Sequence, residues 1–130
     1  MTDTKRRVLI LDDSELALGA IAMTLEKSGY EVKTATSMGN VQTILASSWS
    51  PDVVLTDVNM PGVEQTQICA WLKAQLQPRE APVVLYSGLP EEDLEPLARR
   101  FGADGFLTKA KGLRHLAIEL RSFCLGELST

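Results

Sequence analysis

The sequence predicts an α/β fold, a doubly wound five-stranded parallel sheet with helices on both faces, and three observations predict it. Short apolar runs alternate with segments of helical periodicity along the whole chain, the pattern of a parallel sheet covered on both sides. Four of the five runs are continuously apolar, as strands buried on both faces are. Those same runs end in polar groups: Val8-Leu9-Ile10-Leu11 in Asp12-Asp13, Val53-Val54-Leu55-Thr56 in Asp57, Val83-Val84-Leu85-Tyr86 in Ser87, and Gly105-Phe106-Leu107-Thr108 in Lys109. In a parallel sheet these side chains share the edge beyond the carboxyl ends of the strands, where open α/β sheets bind ligands.

The elements follow in order. After the first strand, Ser14 is placed to cap a helix whose Leu18, Ile21, Ala22 and Leu25 share one face, and Gly29 to close it. Tyr30 to Thr34 alternates apolar and polar, as a half-exposed edge strand does, whereas the other four strands are expected to be central. Ser37 heads a second helix buried through Met38, Val41, Ile44 and Leu45, and Trp49-Ser50-Pro51 ends it. The third strand runs into the turn signal Met60-Pro61-Gly62 and a helix with Ile68, Leu72 and Leu76 on one face. Pro78 and Pro82 bracket the loop into the fourth strand. In the fourth helix, Leu94, Leu97, Ala98 and Phe101 keep the spacing, but Pro96 has no N–H to give and clashes with the preceding turn. That helix must either start late, with Pro96 in its first turn, or kink. Gly102 ends it, Asp104-Gly105 leads into the fifth strand, and Leu113, Leu116, Ala117 and Leu120 line a last helix.

At 130 residues the chain is expected to be a single domain spanning 1–130, without internal repeat or linker. With 45% hydrophobic and 23% charged residues it has the composition of a soluble globule, not of a disordered or fibrous chain. A net charge of −4 argues against nucleic-acid binding, which needs clustered Lys and Arg; Lys5-Arg6-Arg7 reads as a solvated lead-in to the first strand. No apolar run has the length of a membrane span or a signal-peptide core, so a cytoplasmic location is expected. Cys69 and Cys124 lack metal-type spacing and read as small buried hydrophobes. His115, the sole histidine, lies off the apolar stripe of its helix and reads as a surface side chain. Trp49 and Trp71 are expected at helix margins, and Arg99-Arg100 at a solvated helix end.

The polar edge carries the chemistry. A carboxylate such as Asp57 at the end of a buried strand costs free energy unless something pairs with it. Asp12 and Asp13 close by worsen the conflict, since like charges at 4 Å repel by up to ~4 kcal/mol at an effective dielectric of 20. A cation relieves it, and a few oxygen ligands on one rim suit magnesium, which keeps several waters and uses one or two carboxylates with phosphate oxygens. Read alone, Asp12-Asp13-Ser14 could equally be turn and capping chemistry. Lys109, at the end of the fifth strand, is placed to reach Asp57 and to hold a phosphoryl oxygen, and Ser87 to donate to that same oxygen.

On these residues the chain resembles the receiver domains of two-component response regulators over essentially its whole length. The match rests on Asp12-Asp13, on Asp57 followed by Asn59-Met60-Pro61-Gly62, on Ser87, and on Gly102-Ala103-Asp104 through Phe106 to Lys109. The resemblance implies a flavodoxin-like sheet of order 2-1-3-4-5. It implies that Asp57 is a phosphoacceptor taking its phosphoryl group from the phosphohistidine of a sensor kinase or phosphotransfer protein. Asp13, Asp57 and the main-chain carbonyl of Asn59 would hold Mg2+, with Asp12 helping directly or through water. Ser87 and Phe106 would form the switch, passing the signal to a downstream protein through the fourth helix, fifth strand and fifth helix. The state would be a monomer or a phosphorylation-dependent dimer. Such a domain promotes its own phosphorylation and dephosphorylation and is a signalling element, not an enzyme acting on a separate substrate.

Three residues depart from the family pattern. Ala110 stands where a cis proline usually follows the lysine, so either a strained cis bond costing about 2.5 to 4 kcal/mol is sustained or the loop is remodelled. Gln65 replaces a frequent glycine, and Pro96 alters the usual output helix. The alternative is a docking adaptor on the same fold that works without phosphorylation. A flavin carrier would need a hydroxyl- and glycine-rich loop where Asp12-Asp13 stand, and an aspartyl-phosphate phosphatase would need a cap. Nothing after Gly126 could form a DNA-binding module, so output is expected through a partner protein or from a longer regulator of which this chain is a piece.

Overall fold

The computed structural model describes residues 5–58, 60, 62 and 64–124. Five parallel strands, β1 (Arg7–Leu11), β2 (Glu31–Ala35), β3 (Val53–Thr56), β4 (Val83–Ser87) and β5 (Gly105–Thr108), form one sheet of order β2-β1-β3-β4-β5. The helices are α1 (Glu15–Lys27), α2 (Met38–Ala46), α3 (Ile68–Leu76), α4 (Glu91–Phe101) and α5 (Leu113–Cys124). Sheet order and double winding are as expected. Single 3-10 turns at Gln65–Gln67 and Lys109–Lys111 were not foreseen in the sequence.

Strand alternation sends successive side chains to opposite faces and so divides the core. Leu9, Leu11, Val54, Val83 and Leu85 pack against α2, α3 and α4, through Val41, Leu72 and Leu94 among others. Val8, Ile10, Val53, Leu55, Val84 and Tyr86 pack against α1 and α5, through Leu18, Leu25, Leu116 and Leu120. Both cysteines are buried, and burial pushes the Cys69 thiol up to about 11. Trp49 is buried with its indole N–H donating to Glu31 Oε2 at 2.8 Å, while Trp71 packs partly buried against the same layer. His115 is half-exposed and meets Glu119 one turn on at 3.1 Å.

The helix ends are chemically specified. Ser14 Oγ accepts the Ala17 N–H and Ser37 Oγ accepts the Asn40 N–H, satisfying donors that a first turn leaves free. Gly102 closes α4 at φ 76, a left-handed position that costs glycine nothing.

One expectation needs correction. β5 is an edge strand, not a central one: its apolar run reflects α4 on one face and α5 on the other, and burial of faces says nothing about the number of neighbouring strands. Of the two alternatives for α4, the late start is excluded. The helix begins at Glu91 and runs through Pro96, so the Glu92 carbonyl lacks its usual donor from four residues on. The start is fixed by the Asp93 and Leu94 N–H groups bonding Pro90 O, and by three acidic residues, Glu91, Glu92 and Asp93, at the positive end of the helix dipole.

Candidate functional site

Register brings the acids together. Leu11 pairs with Thr56, so the next residue on each chain segment, Asp12 and Asp57, leaves the sheet at the same level. The Asp57 N–H still bonds Leu11 O at 2.9 Å and the Asp12 N–H bonds Ala35 O at 3.1 Å, which fixes both backbones as the side chains leave the sheet. Carboxylate oxygens of Asp12, Asp13 and Asp57 lie within 4.8 Å of one another. Asp12 is buried, Asp57 half-buried and Asp13 exposed, so the cluster opens from the sheet edge to solvent.

The carboxylates differ in how they are held. Asp12 Oδ1 accepts the Ser14 N–H at 3.0 Å, and its Oδ2 accepts the Tyr86 hydroxyl at 2.8 Å and lies 3.5 Å from Lys109 Nζ. Asp57 Oδ1 accepts the Val58 N–H at 2.8 Å. Burial, then the charge of Asp12 and to a lesser degree that of Asp13, raises the Asp57 carboxyl above its usual value, against the pull of the Val58 N–H and of Lys109. Lys109 therefore acts on Asp57 through space, while its ion pair is made with Asp12.

Ser87 and Lys109 arrive from neighbouring strands, since Ser87 pairs with Thr108 in the β4–β5 register. Ser87 Oγ accepts the Leu89 N–H at 3.2 Å, and the Thr108 hydroxyl donates to Leu89 O, tying the loop after β4 to the end of β5. Among the described residues the one cis peptide is Gln77–Pro78, so the Lys109–Ala110 bond is trans and the loop is the remodelled one. Its Ala110 N–H donates to Thr108 Oγ1 at 3.1 Å, a bond that proline could not make. Phe106 lies half-buried against the α4 layer. Asn59 and Pro61 lie outside the described residues.

The residue that sequence reasoning missed is Tyr86. Its ring is fully buried in the α1/α5 layer, its hydroxyl meets Asp12, and Lys109 Nζ stands 4.4 Å from its ring centroid. Burial and then the hydrogen bond to Asp12 hold its phenol far above the usual range, which keeps it a donor. The available signal was a tyrosine in an otherwise aliphatic run, because a buried phenol needs a polar partner.

The donor set could hold a metal ion: three carboxylates offering oxygens within 4.8 Å of one another on one rim are hard ligands of the kind magnesium takes, one or two of them together with waters and phosphate oxygens.

A family model described as the response regulator receiver domain matches residues 8–121. The chain is 31% identical over 104 residues to the alkaline phosphatase synthesis transcriptional regulatory protein PhoP of Bacillus subtilis, covering 80% of this chain and 42% of that protein. It is 30% identical over 125 residues to a "Probable transcriptional regulatory protein" of Picosynechococcus, covering 92% of this chain and 49% of that one. The chain thus spans about half the length of these relatives. Among solved structures, the Vibrio cholerae chemotaxis protein CheY4 superposes with a TM-score of 0.77 at 26% identity, covering 92% of this chain and 99% of that one.

Proposed function

The chain belongs to the response regulator receiver domain family, and from that premise we propose that it is a phosphoacceptor in which Asp57 receives a phosphoryl group from a phosphohistidine. The observation that carries this reading is the acidic cluster itself: three carboxylate oxygens within 4.8 Å, beside one ammonium. Asp57 Oδ1 is held by the Val58 N–H, so the other oxygen is the nucleophile. It bonds to phosphorus as the P–N bond of the donor breaks, and the electron pair of that bond returns to the imidazole nitrogen. Asp13 and Asp57, with the main-chain carbonyl of Asn59, would hold Mg2+, Asp12 helping directly or through water; the ion would supply positive charge against the carboxylates and the incoming phosphoryl oxygens, the main requirement of phosphoryl transfer.

The new phosphoryl group would bring acceptor oxygens for Lys109 and Ser87 to meet. Ser87 would exchange its Leu89 contact for the phosphoryl oxygen, freeing the loop after β4, and Phe106 would turn inward into the space behind it. The α4–β5–α5 face would then change. Support for that route is a surface cavity lined by Glu91, Phe106, Ile118 and Phe123, with the Glu91–Lys111 ion pair at 2.8 Å beside it. A downstream protein would read this face, a histidine kinase or phosphotransfer protein would supply the phosphoryl group, and the domain would work in the cytoplasm as a monomer or phosphorylation-dependent dimer. Among the described residues no helix is long and apolar enough to cross a membrane.

Incubation with acetyl phosphate and magnesium, read by intact mass, tests the proposal. Wild type gains one phosphoryl mass and Asp57→Asn gains none. An unmodified wild type would favour the phosphorylation-independent docking adaptor instead.

A further inference from the structure

We propose that Tyr86 is a positioning residue for the acidic cluster, one side chain that orients the Asp12 carboxylate through its hydroxyl and shelves the Lys109 ammonium on its ring. The inference rests on the phosphoacceptor reading and adds to it a residue outside the expected set.

Three contacts converge on this side chain. The hydroxyl donates to Asp12 Oδ2 at 2.8 Å, Lys109 Nζ lies 3.5 Å from that same oxygen, and the ammonium stands 4.4 Å from the ring centroid. Asp12 Oδ1 is meanwhile fixed by the Ser14 N–H. With both oxygens tied to the protein, Asp12 has one orientation. A phenol held by a fully buried ring is a rigid donor, unlike a donor on a flexible exposed stem. Lys109 is the opposite case, a four-carbon stem with free rotors, and its side chain is 29% exposed. The negative face of the ring and the Asp12 oxygen together give that ammonium a defined resting place. Tyr86 thus links the acid on the metal side to the cation on the phosphate side, and outer partners of this kind govern how well a ligand set holds its ion.

Tyr86→Phe and Tyr86→Leu separate the two roles, the first removing the hydroxyl alone and the second the ring as well. Magnesium titration by calorimetry should show Tyr86→Phe binding about tenfold more weakly than wild type, the scale typical of lost outer-shell partners. The Lys109 ε-methylene protons should be shifted upfield by the ring in wild type and Tyr86→Phe, and return to free-lysine positions in Tyr86→Leu. Should Tyr86→Leu fail to fold, the wild-type and Tyr86→Phe spectra still decide the ring contact. A lowered thermal midpoint with magnesium affinity unchanged in Tyr86→Phe would mark Tyr86 as core only and overturn the proposal. So would Lys109 protons at free-lysine positions in wild type. A wild-type protein that takes up no magnesium would sink the phosphoacceptor reading itself, and this inference with it.

Discussion

The two ends of the sheet carry the same residue type and use it in opposite ways. At the amino-terminal edge, Asp52 precedes β3 and Asp104 precedes β5. Asp52 accepts the Arg7 N–H at 2.8 Å with one oxygen and pairs with Arg79 through the other. Asp104 accepts the Val83 N–H at 2.8 Å and meets Lys73 at 3.4 Å. Each carboxylate there has its own backbone donor and its own cation, and each ties one strand to its neighbourhood. At the carboxyl-terminal edge, Asp12, Asp13 and Asp57 crowd within 4.8 Å beside Lys109. Charge balanced one to one is structural; charge left in surplus marks a place where a ligand is needed.

That contrast can be broken by measurement. The largest expected effect lies at the balanced end, where Asp52→Ala removes a charge-assisted hydrogen bond and an ion pair and should cost about 2 kcal/mol in urea denaturation, with phosphoryl uptake unchanged. A negligible loss would make the pairing at that edge decorative. At the surplus end, magnesium at about ten times its dissociation constant should add roughly 1.4 kcal/mol to wild type, seen as a raised thermal midpoint, and far less to Asp57→Asn.

In EDTA, Asp57→Asn should itself be more stable than wild type by about 1 kcal/mol at neutral pH, the usual gain when a strained functional group is neutralised. The sign follows from the raised carboxyl. A group whose value is higher in the folded chain favours folding while protonated, so that contribution is complete below the unfolded value and is lost as pH rises through the folded one. The advantage of the asparagine should therefore fade as the pH is lowered, and a stability difference that stays constant into acid would show that the charge is not its cause. The smallest effect belongs to an exposed pair at neither edge: Glu95→Ala, which breaks the one-turn contact with Arg99 on α4, should move stability by less than about 0.5 kcal/mol. A larger shift would mean that α4, already interrupted by Pro96, depends on its surface charges.

Much of the candidate site was legible because it is written at strand ends. Asp12, Asp57, Ser87 and Lys109 each follow an apolar run directly, and in a parallel sheet that position is already a position in space. Tyr86 was not legible, because it lies inside such a run, and only the folded sheet shows that its hydroxyl has an acid to meet, at the end of β1, two strands away. The partner of Lys109 was equally hidden. Chain order places it near Asp57, but its ion pair goes to Asp12, with the Tyr86 ring beside the ammonium.

The chain by itself determined the α/β class, the helix caps at Ser14 and Ser37, and the gathering of acids at one edge, since periodicity and strand direction are local properties that survive without knowledge of neighbours. Tertiary structure decided what depends on neighbours. It put β5 at the sheet edge despite its apolar run, and it brought a phenol to an acid and a lysine from other strands. The physical reason is common to both: each is settled by contacts between segments far apart in sequence, whereas the start of α4 and the 3-10 turn after β5 rest on local bonds to Pro90 O and Thr108 Oγ1 that periodicity does not reveal.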